Sequence, residues 1–338
     1  MRAVAVVGAG GTLGPLVVAG LVGEFERVVA LDRSDVAEGV AGVEFVRLDV
    51  GTEPARLRAA LGGVSVIVHL AYDSEDGDQG VLRAVLAAAA DVGARHVTLV
   101  SSAMVYGAWA NNPLPISEDA PVRPNPDTAF AVHKADAERT TLQWRDVGAG
   151  RRAALLRPAP AVAGAGTSFV GRAMLAAAPI RTGTDDPPVQ FVHLEDLAAA
   201  VVLAAREELD GAFNVAPDGW LSAPDLRDLL GARPKIRIPV PLPGRFDRYV
   251  AARVGGPVPT GLLPYNRYGW VVANDRLRAA GWRPRYGNDQ AFVDADAGMP
   301  WDSMNARQRQ YLSLGIGAVV IAAVSGVIGW ALVRWRRG

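Results

Sequence analysis

The chain has no cysteine, so it forms no disulfide and offers no thiolate to a metal. That composition suits a reducing compartment. Histidine is scarce too. His69, His96, His133 and His193 are scattered through 338 residues without metal-ligand spacing, so no metal site is expected. Charge of one sign is also missing. Thirty-five basic residues balance 35 acidic ones, which removes the electrostatic case for a nucleic-acid partner. Lysine is almost absent: only Lys134 and Lys235 stand among those basic residues. In a chain that uses arginine by default, a lysine is informative. No internal repeat is visible. What the chain has in quantity is apolar surface, since half its residues are hydrophobic. Its length allows a substantial core and two domains.

The most informative segment is Val4 to Gly14. An apolar strand, Val4-Ala5-Val6-Val7, runs into Gly8-Ala9-Gly10-Gly11-Thr12-Leu13-Gly14, and a helix-like stretch follows. Gly8, Gly11 and Gly14 have GxxGxxG spacing. The usual GxGxxG fingerprint does not fit, because Leu13 occupies its third glycine. Such a turn lets backbone approach a pyrophosphate closely, and a helix N-terminus then offers free N–H groups. A second apolar run, Arg27 to Leu31, ends in Asp32, 24 positions after Gly8. That is close to the ~20 expected of a ribose-binding acid. A carboxylate there accepts both ribose hydroxyls and repels a 2′-phosphate, which favours NAD over NADP. Arg33 beside it argues the other way, since a guanidinium can hold that phosphate.

Beyond this point strands and helices alternate. Strands are expected over 43–48, 64–70, 96–100 and 153–156, with helices over 79–92 and 128–146. Near-continuous apolar strands separated by helices predict an α/β fold, a doubly wound parallel sheet. After about residue 165 the pattern loosens, and proline and glycine become frequent. The N-terminal apolar run is broken by Gly8 too early for a signal peptide and reads as a buried strand. The C-terminal run is different. Leu312 to Val333 is 22 residues without charge. At ~1.5 Å per residue it spans a bilayer core of ~30 Å. Tyr311, Trp330 and Trp335 lie near its ends, and Arg334, Arg336 and Arg337 follow. A single-pass anchor in the cell membrane, in contact with lipid, is expected, with the preceding domain cytoplasmic. Ala318, Ala322 and Gly326 make a small-residue stripe that would let two such helices meet as a homodimer.

Several motifs in order make the chain resemble an extended short-chain dehydrogenase/reductase of the NAD-dependent epimerase/dehydratase type. They are the Gly8–Gly14 turn, Leu48-Asp49-Val50, Val68-His69-Leu70-Ala71, Ser101-Ser102-Ala103-Met104-Val105-Tyr106-Gly107 and Phe191-Val192-His193-Leu194-Glu195-Asp196. The resemblance covers about residues 1–290. It implies a Rossmann domain over 1–165 with a return segment at about 189–216, and a substrate-binding lobe over 166–290. A linker over 291–311 would then lead to the anchor at 312–333. It further implies that Gly8, Gly11, Thr12, Leu13, Gly14, Asp32, Arg33, Asp49, Val50, Leu70, Ala71 and Lys134 surround the cofactor. Asp49-Val50 would meet the adenine and Leu70-Ala71 would lie beside the cofactor. Ser102 stands in the place of the catalytic serine.

At the decisive position the chain departs from the family. The YxxxK acid/base pair reads here Phe130-Ala131-Val132-His133-Lys134. The i to i+4 spacing keeps both side chains on one helix face, but the hydroxyl is gone. Loss of a positioned acid/base costs ~10²–10⁴ in rate. His133, Tyr106 and Asp127 lack the spacing to replace it. Two functional classes stay open. One is an oxidoreductase or epimerase with an atypical proton donor, such as water or a substrate hydroxyl, acting on a nucleotide-sugar, steroid or lipid-like substrate. The other is a catalytically silent NAD(H)-binding sensor or scaffold at the membrane. The lobe carries Trp220, Tyr249, Tyr265, Tyr268 and Trp270 with Arg245, Arg248 and Arg267 interleaved. That mixture does not identify a substrate.

Overall fold

Each apolar run of the first half pairs in parallel with a neighbour, so both faces of the resulting sheet must be covered. The computed structural model describes residues 2–34, 41–72, 79–181, 187–230, 236–237, 243–255 and 258–295. In chain order the elements are β1 (Ala3–Val7), α1 (Gly14–Leu21), β2 (Arg27–Asp32), β3 (Val43–Arg47), α2 (Pro54–Ala60), β4 (Val66–His69), α3 (Gly80–Asp91), β5 (His96–Val100), α4 (Ala129–Val147), β6 (Arg152–Pro158), β7 (Ala161–Val162), α5 (Phe169–Ala177), β8 (Ile180–Arg181), β9 (Val192–His193), α6 (Leu194–Arg206), β10 (Gly211–Val215), α7 (Ala223–Leu230), β11 (Ile236–Arg237), α8 (Pro243–Val254), α9 (Leu263–Arg267), α10 (Asp275–Ala279) and α11 (Asn288–Ala295). Seven strands form one sheet in the order β3-β2-β1-β4-β5-β6-β10, every pairing parallel. The doubly wound sheet expected from the sequence is therefore present. The chain winds outward from β1 to β3, then crosses back to β4. The crevice at that reversal, beyond the carboxyl ends of the strands, is where such sheets take ligands.

Alternation along β1 decides the two layers. Val4 and Val6 join a core with α1, α6 and the C-terminal elements. Ala5 and Val7 join a second core with α2, α3 and Trp144 of α4. Two glycines of the β1–α1 turn are dictated by close backbone approach. Gly8 has φ +87°, and a Cβ there would sit 2.6 Å from the amide nitrogen of Ala71. A Cβ on Gly14 would overlap the Ala9 carbonyl.

Three features differ from the sequence expectation. Strand β6 continues through Arg157 and Pro158, because β10 pairs with it along that length. Strand β10 itself was not expected, since Gly211-Ala-Phe-Asn-Val lacks a strong apolar pattern. Its Asn214 is fully buried, which tertiary hydrogen bonds make possible. The start of the expected linker at 291 is helical instead. Helix α11 buries Ala291 and Phe292, and Phe292 packs on Phe191 with ring centroids 5.6 Å apart. The described residues up to Ala295 belong to one compact unit. The remainder of the expected linker and the whole 312–333 anchor lie outside the described residues. Among the described residues no helix is long and apolar enough to cross a membrane.

A buried polar network ties α4 to the carboxyl ends of the sheet's strands. Glu138 of α4 receives two hydrogen bonds from the Arg157 guanidinium, at 3.0 and 2.7 Å. The Ser101 hydroxyl donates to the same carboxylate at 2.6 Å. Arg157 also donates to the Tyr106 hydroxyl at 2.8 Å, which in turn donates to Asn214 at 2.8 Å. Burial by itself would lower the Arg157 pKa, but its bonds and proximity to Glu138 raise it above the usual guanidinium range. Burial pushes the Tyr106 phenol up to about 12, so it stays neutral. Replacing Glu138 with leucine leaves Arg157 charged, buried and unpaired. Urea unfolding of Glu138→Leu should show a loss of about 3–5 kcal/mol, and the double variant Glu138→Leu/Arg157→Met should recover most of it. Equal losses in the two variants would mean that the pair is not what matters there.

Candidate functional site

The backbone at the carboxyl ends of β1, β4, β5 and β6 opens into a cleft of about 920 Å³, counting the space open to solvent. Gly8, Gly11, Thr12, Leu13 and Gly14 form one wall. Leu70 follows β4, Ser102 follows β5, and Phe130 and Lys134 project from α4 into the same cleft. Residues from separate parts of the sequence thus line one cleft, with Asp32 and Arg33 outside its lining.

Asp32 at the end of β2 closes the turn. Its carboxylate accepts the Gly10 N–H at 2.9 Å, and the Ser34 N–H and hydroxyl at 2.9 and 2.6 Å. Partial burial pushes the Asp32 pKa up, but these hydrogen bonds outweigh it and hold it below the ordinary range. The group is an anion at neutral pH. Arg33 is exposed beside it.

Lys134 is buried and donates to the Val100 carbonyl at 2.9 Å. Its nitrogen lies 5.0 Å from the Tyr72 ring centroid and 5.8 Å from that of Phe130. Burial lowers its pKa to about 8, against the opposing charge of Glu138 one helical turn on. It therefore remains mostly cationic at pH 7. The same burial, with the Lys134 charge adding to it, holds the His69 imidazole at about 3. His69 is neutral, and the cation in this region is the lysine.

Ser102 is buried, and its oxygen accepts the Met104 N–H at 3.2 Å, capping the 3-10 turn Ala103–Tyr106. A hydroxyl used as an acceptor still has its proton to donate. Phe130 packs edge-on against Tyr72 and Phe169, at 5.0 and 6.2 Å between centroids. Phe130 is thus a buried ring inside an aromatic cluster.

Other expected site residues stand elsewhere. Val50 is buried in the core beneath the sheet. The Asp49 carboxylate accepts the Gly51 N–H at 3.0 Å, stabilising the turn after β3. Neither is among the cleft-lining residues. Ala71 lines a neighbouring cavity with His69 and His133. Of the other residues weighed as acid/base groups, Tyr106 is committed to the buried network, Asp127 is exposed, and His133 faces that neighbouring cavity. Sequence reasoning missed Tyr72, which lines the cleft beside both Phe130 and Lys134. Its only signal was that it follows Val68-His69-Leu70-Ala71 directly. Asp196, from the motif at the start of α6, accepts the Arg285 and Tyr286 N–H groups at 2.9 and 3.0 Å. It fastens the later chain segments rather than touching the cleft.

Known proteins give a consistent answer. The family model described as NAD dependent epimerase/dehydratase family matches residues 4–216. An uncharacterized protein of Mycobacterium tuberculosis is 26% identical over 294 residues, covering 79% of this chain and 76% of that protein. Among solved structures, the UDP-glucose 4-epimerase of Thermus thermophilus, in complex with NAD, superposes with a TM-score of 0.63 at 19% identity. It covers 87% of this chain and 97% of its own. The dTDP-glucose 4,6-dehydratase of Bacillus anthracis, also with NAD, has a TM-score of 0.63 at 15% identity, covering 87% and 95%. At these identities the two structures speak for the fold alone. The family model spans most of the chain, and with the glycine turn, Ser102 and Lys134 gathered at one sheet edge, this chain belongs to the NAD dependent epimerase/dehydratase family.

Proposed function

We propose that the chain is a membrane-anchored, NAD(H)-dependent oxidoreductase or epimerase-like enzyme that uses an atypical proton donor. The observation that carries this reading is the convergence of the glycine turn, Ser102 and Lys134 on one cleft. The residues fit NAD. The tight turn held by Gly8 and Gly14 offers its backbone and the start of α1 to a pyrophosphate, Asp32 presents an anion to the ribose, and Lys134 brings a buried cation to the second ribose. When bound, the nicotinamide supplies the hydride acceptor or donor. The chain's own groups do the rest: Ser102 donates its hydroxyl proton to a substrate oxygen, and Tyr72 supplies the phenol that position 130 lacks. The UDP-glucose epimerase and dTDP-glucose dehydratase that share the fold are named for nucleotide-sugars, and that class is one candidate substrate here.

The loss of a hydroxyl at Phe130 favours a second reading, a silent NAD(H)-binding sensor or scaffold. Titration calorimetry with the full-length protein separates the possibilities in two stages. NAD(H) should bind more tightly than NADP(H), and Asp32→Ala should reduce that preference by about tenfold, or about 1.4 kcal/mol. Equal or tighter NADP(H) binding would assign the pocket to Arg33 instead. For chemistry, Tyr72→Phe should lower turnover on an alcohol and sugar-nucleotide panel by about 10²-fold, and adding Phe130→Tyr should restore part of it. Cofactor binding with no turnover in either protein would favour the silent reading.

The uncharged run over 312–333 supports a single membrane span, with the cofactor domain facing the cytosolic NAD pool. Full-length protein should stay with membranes through carbonate extraction. Release by carbonate would exclude the span.

A further inference from the structure

Lys134 is the single charged side chain among the described residues that line the cofactor cleft. It also lines the neighbouring cavity with His69, Gln79 and His133, so its amine stands in the wall between two spaces. Its surroundings are unusual for a lysine. The residue is buried, with 7% of its surface exposed. Its nitrogen donates to a neutral acceptor, the Val100 carbonyl, at 2.9 Å, and stands over the rings of Tyr72 and Phe130. The carboxylate one turn further along its helix, Glu138, is already bound by Arg157 and Ser101.

An ammonium faced by two rings and one carbonyl is poorly solvated, and burial disfavours its charged form. The titratable and charged groups around it are Glu138 with its partner Arg157, neutral His69 at the end of β4, Tyr72 after β4, and His133 in the wall of the neighbouring cavity. With its pKa at about 8, about one-tenth of the amine is unprotonated at pH 7, about 300-fold more than in an ordinary lysine. A lysine desolvated in this way is a nucleophile toward carbonyl carbon. Leu13, Leu70, Phe130 and Phe169 line the cleft with it. An uncharged aliphatic chain suits that lining. A carboxylate would be desolvated there, and an amine that has reacted is no longer a cation to pair with it.

We infer that Lys134 is a covalent site for small uncharged aliphatic aldehydes, which it captures as an imine when no cofactor fills the cleft. The amine nitrogen adds to the carbonyl carbon and the C=O double bond opens, giving a carbinolamine. The C–O bond then breaks and a C=N bond forms. Both protons of the amine leave on the aldehyde oxygen as one water molecule. No electrons are exchanged, so the step needs no oxidant or reductant, and water reverses it. The imine forms on the nitrogen that the proposed reading offers to the second ribose. Aldehyde and NAD(H) therefore exclude one another. That competition rests on the proposed reading, and the amine chemistry does not.

The test is reductive trapping on full-length protein in detergent micelles, with butanal and cyanoborohydride, read by peptide mass spectrometry. The chain has only two lysines, so Lys235 serves as the internal comparison at every pH. At pH 7 Lys134 should be labelled about tenfold faster than Lys235 or more, and that ratio should fall by about tenfold or more between pH 7 and pH 10, as an ordinary lysine loses its proton. Phe130→Ala admits water to the ammonium and should slow the labelling of Lys134 at pH 7 by about fivefold or more. Tyr72→Ala should act in the same direction and guards against a misfolded Phe130 variant. Succinic semialdehyde, a four-carbon aldehyde with a carboxylate, should label Lys134 about tenfold more slowly than butanal. Saturating NAD(H) should suppress the label. The inference is overturned if Lys134 is labelled no faster than Lys235 at pH 7, if the ratio is flat with pH, or if both ring variants leave the rate unchanged. Labelling by succinic semialdehyde as fast as by butanal overturns the uncharged class. Labelling that bound NAD(H) does not slow would sink the ribose role of Lys134 and leave the reactive amine standing.

Discussion

Glu138 is the residue on which the geometry of the site depends. It is a buried carboxylate in the middle of α4, and a buried charge must be paired and hydrogen-bonded to be tolerable. Its partners come from two strand ends: Ser101 after β5 and Arg157 near the end of β6. Arg157 extends the constraint to Tyr106, and Tyr106 extends it to Asn214 of β10. One anion thereby fixes a helix against three neighbouring strands at the edge where the cleft opens. Lys134 lies one turn before Glu138 on the same helix, so its depth in the cleft is set by this contact. The Glu138 charge also opposes the effect of burial on Lys134. Position and charge of the site's cation thus share one origin.

The opposite wall is set by a steric constraint. Gly8 and Gly14 lie so close to the backbone at Ala71 and Ala9 that no side chain fits. The turn is consequently narrow and rigid, and Gly10 donates its N–H to Asp32. A carboxylate held by three such donors is both oriented and kept ionised. Anchoring on one side and sterics on the other leave the aromatic residues between them, Tyr72, Phe130 and Phe169, to define the cleft's interior.

Much of this was legible in the sequence, for physical reasons that differ by residue. Local rules announce the glycine turn and Asp32, because a tight turn after a buried strand needs glycine and the next strand ends at a predictable distance. The i to i+4 spacing of Phe130 and Lys134 fixes their common face as soon as α4 is recognised. The rest depends on contacts distant in the chain. Strand β10 exists because Asn214 finds partners near residues 106 and 116, which no window around residue 214 contains. Tyr72 gains significance only when the end of β4 is laid beside α4. In the later lobe, where arginines and aromatics are interleaved in sequence, orientation sorts them: Tyr265 and Trp270 are buried with their polar atoms spent on backbone.

Phe130 shapes the surroundings of Lys134. A phenol at that position, near a buried ammonium, would be drawn toward its anionic form. A benzene ring there instead adds apolar surface around Lys134 and contributes to the burial that brings its pKa to about 8. The cation is retained, since Glu138 and the Val100 carbonyl hold it, but it faces carbon on two sides. Tyr72, from the segment after β4, brings its ring to the same ammonium. The rings of Phe130 and Tyr72 make the space around the ammonium more apolar, and an apolar surround strengthens every remaining electrostatic contact that Lys134 makes.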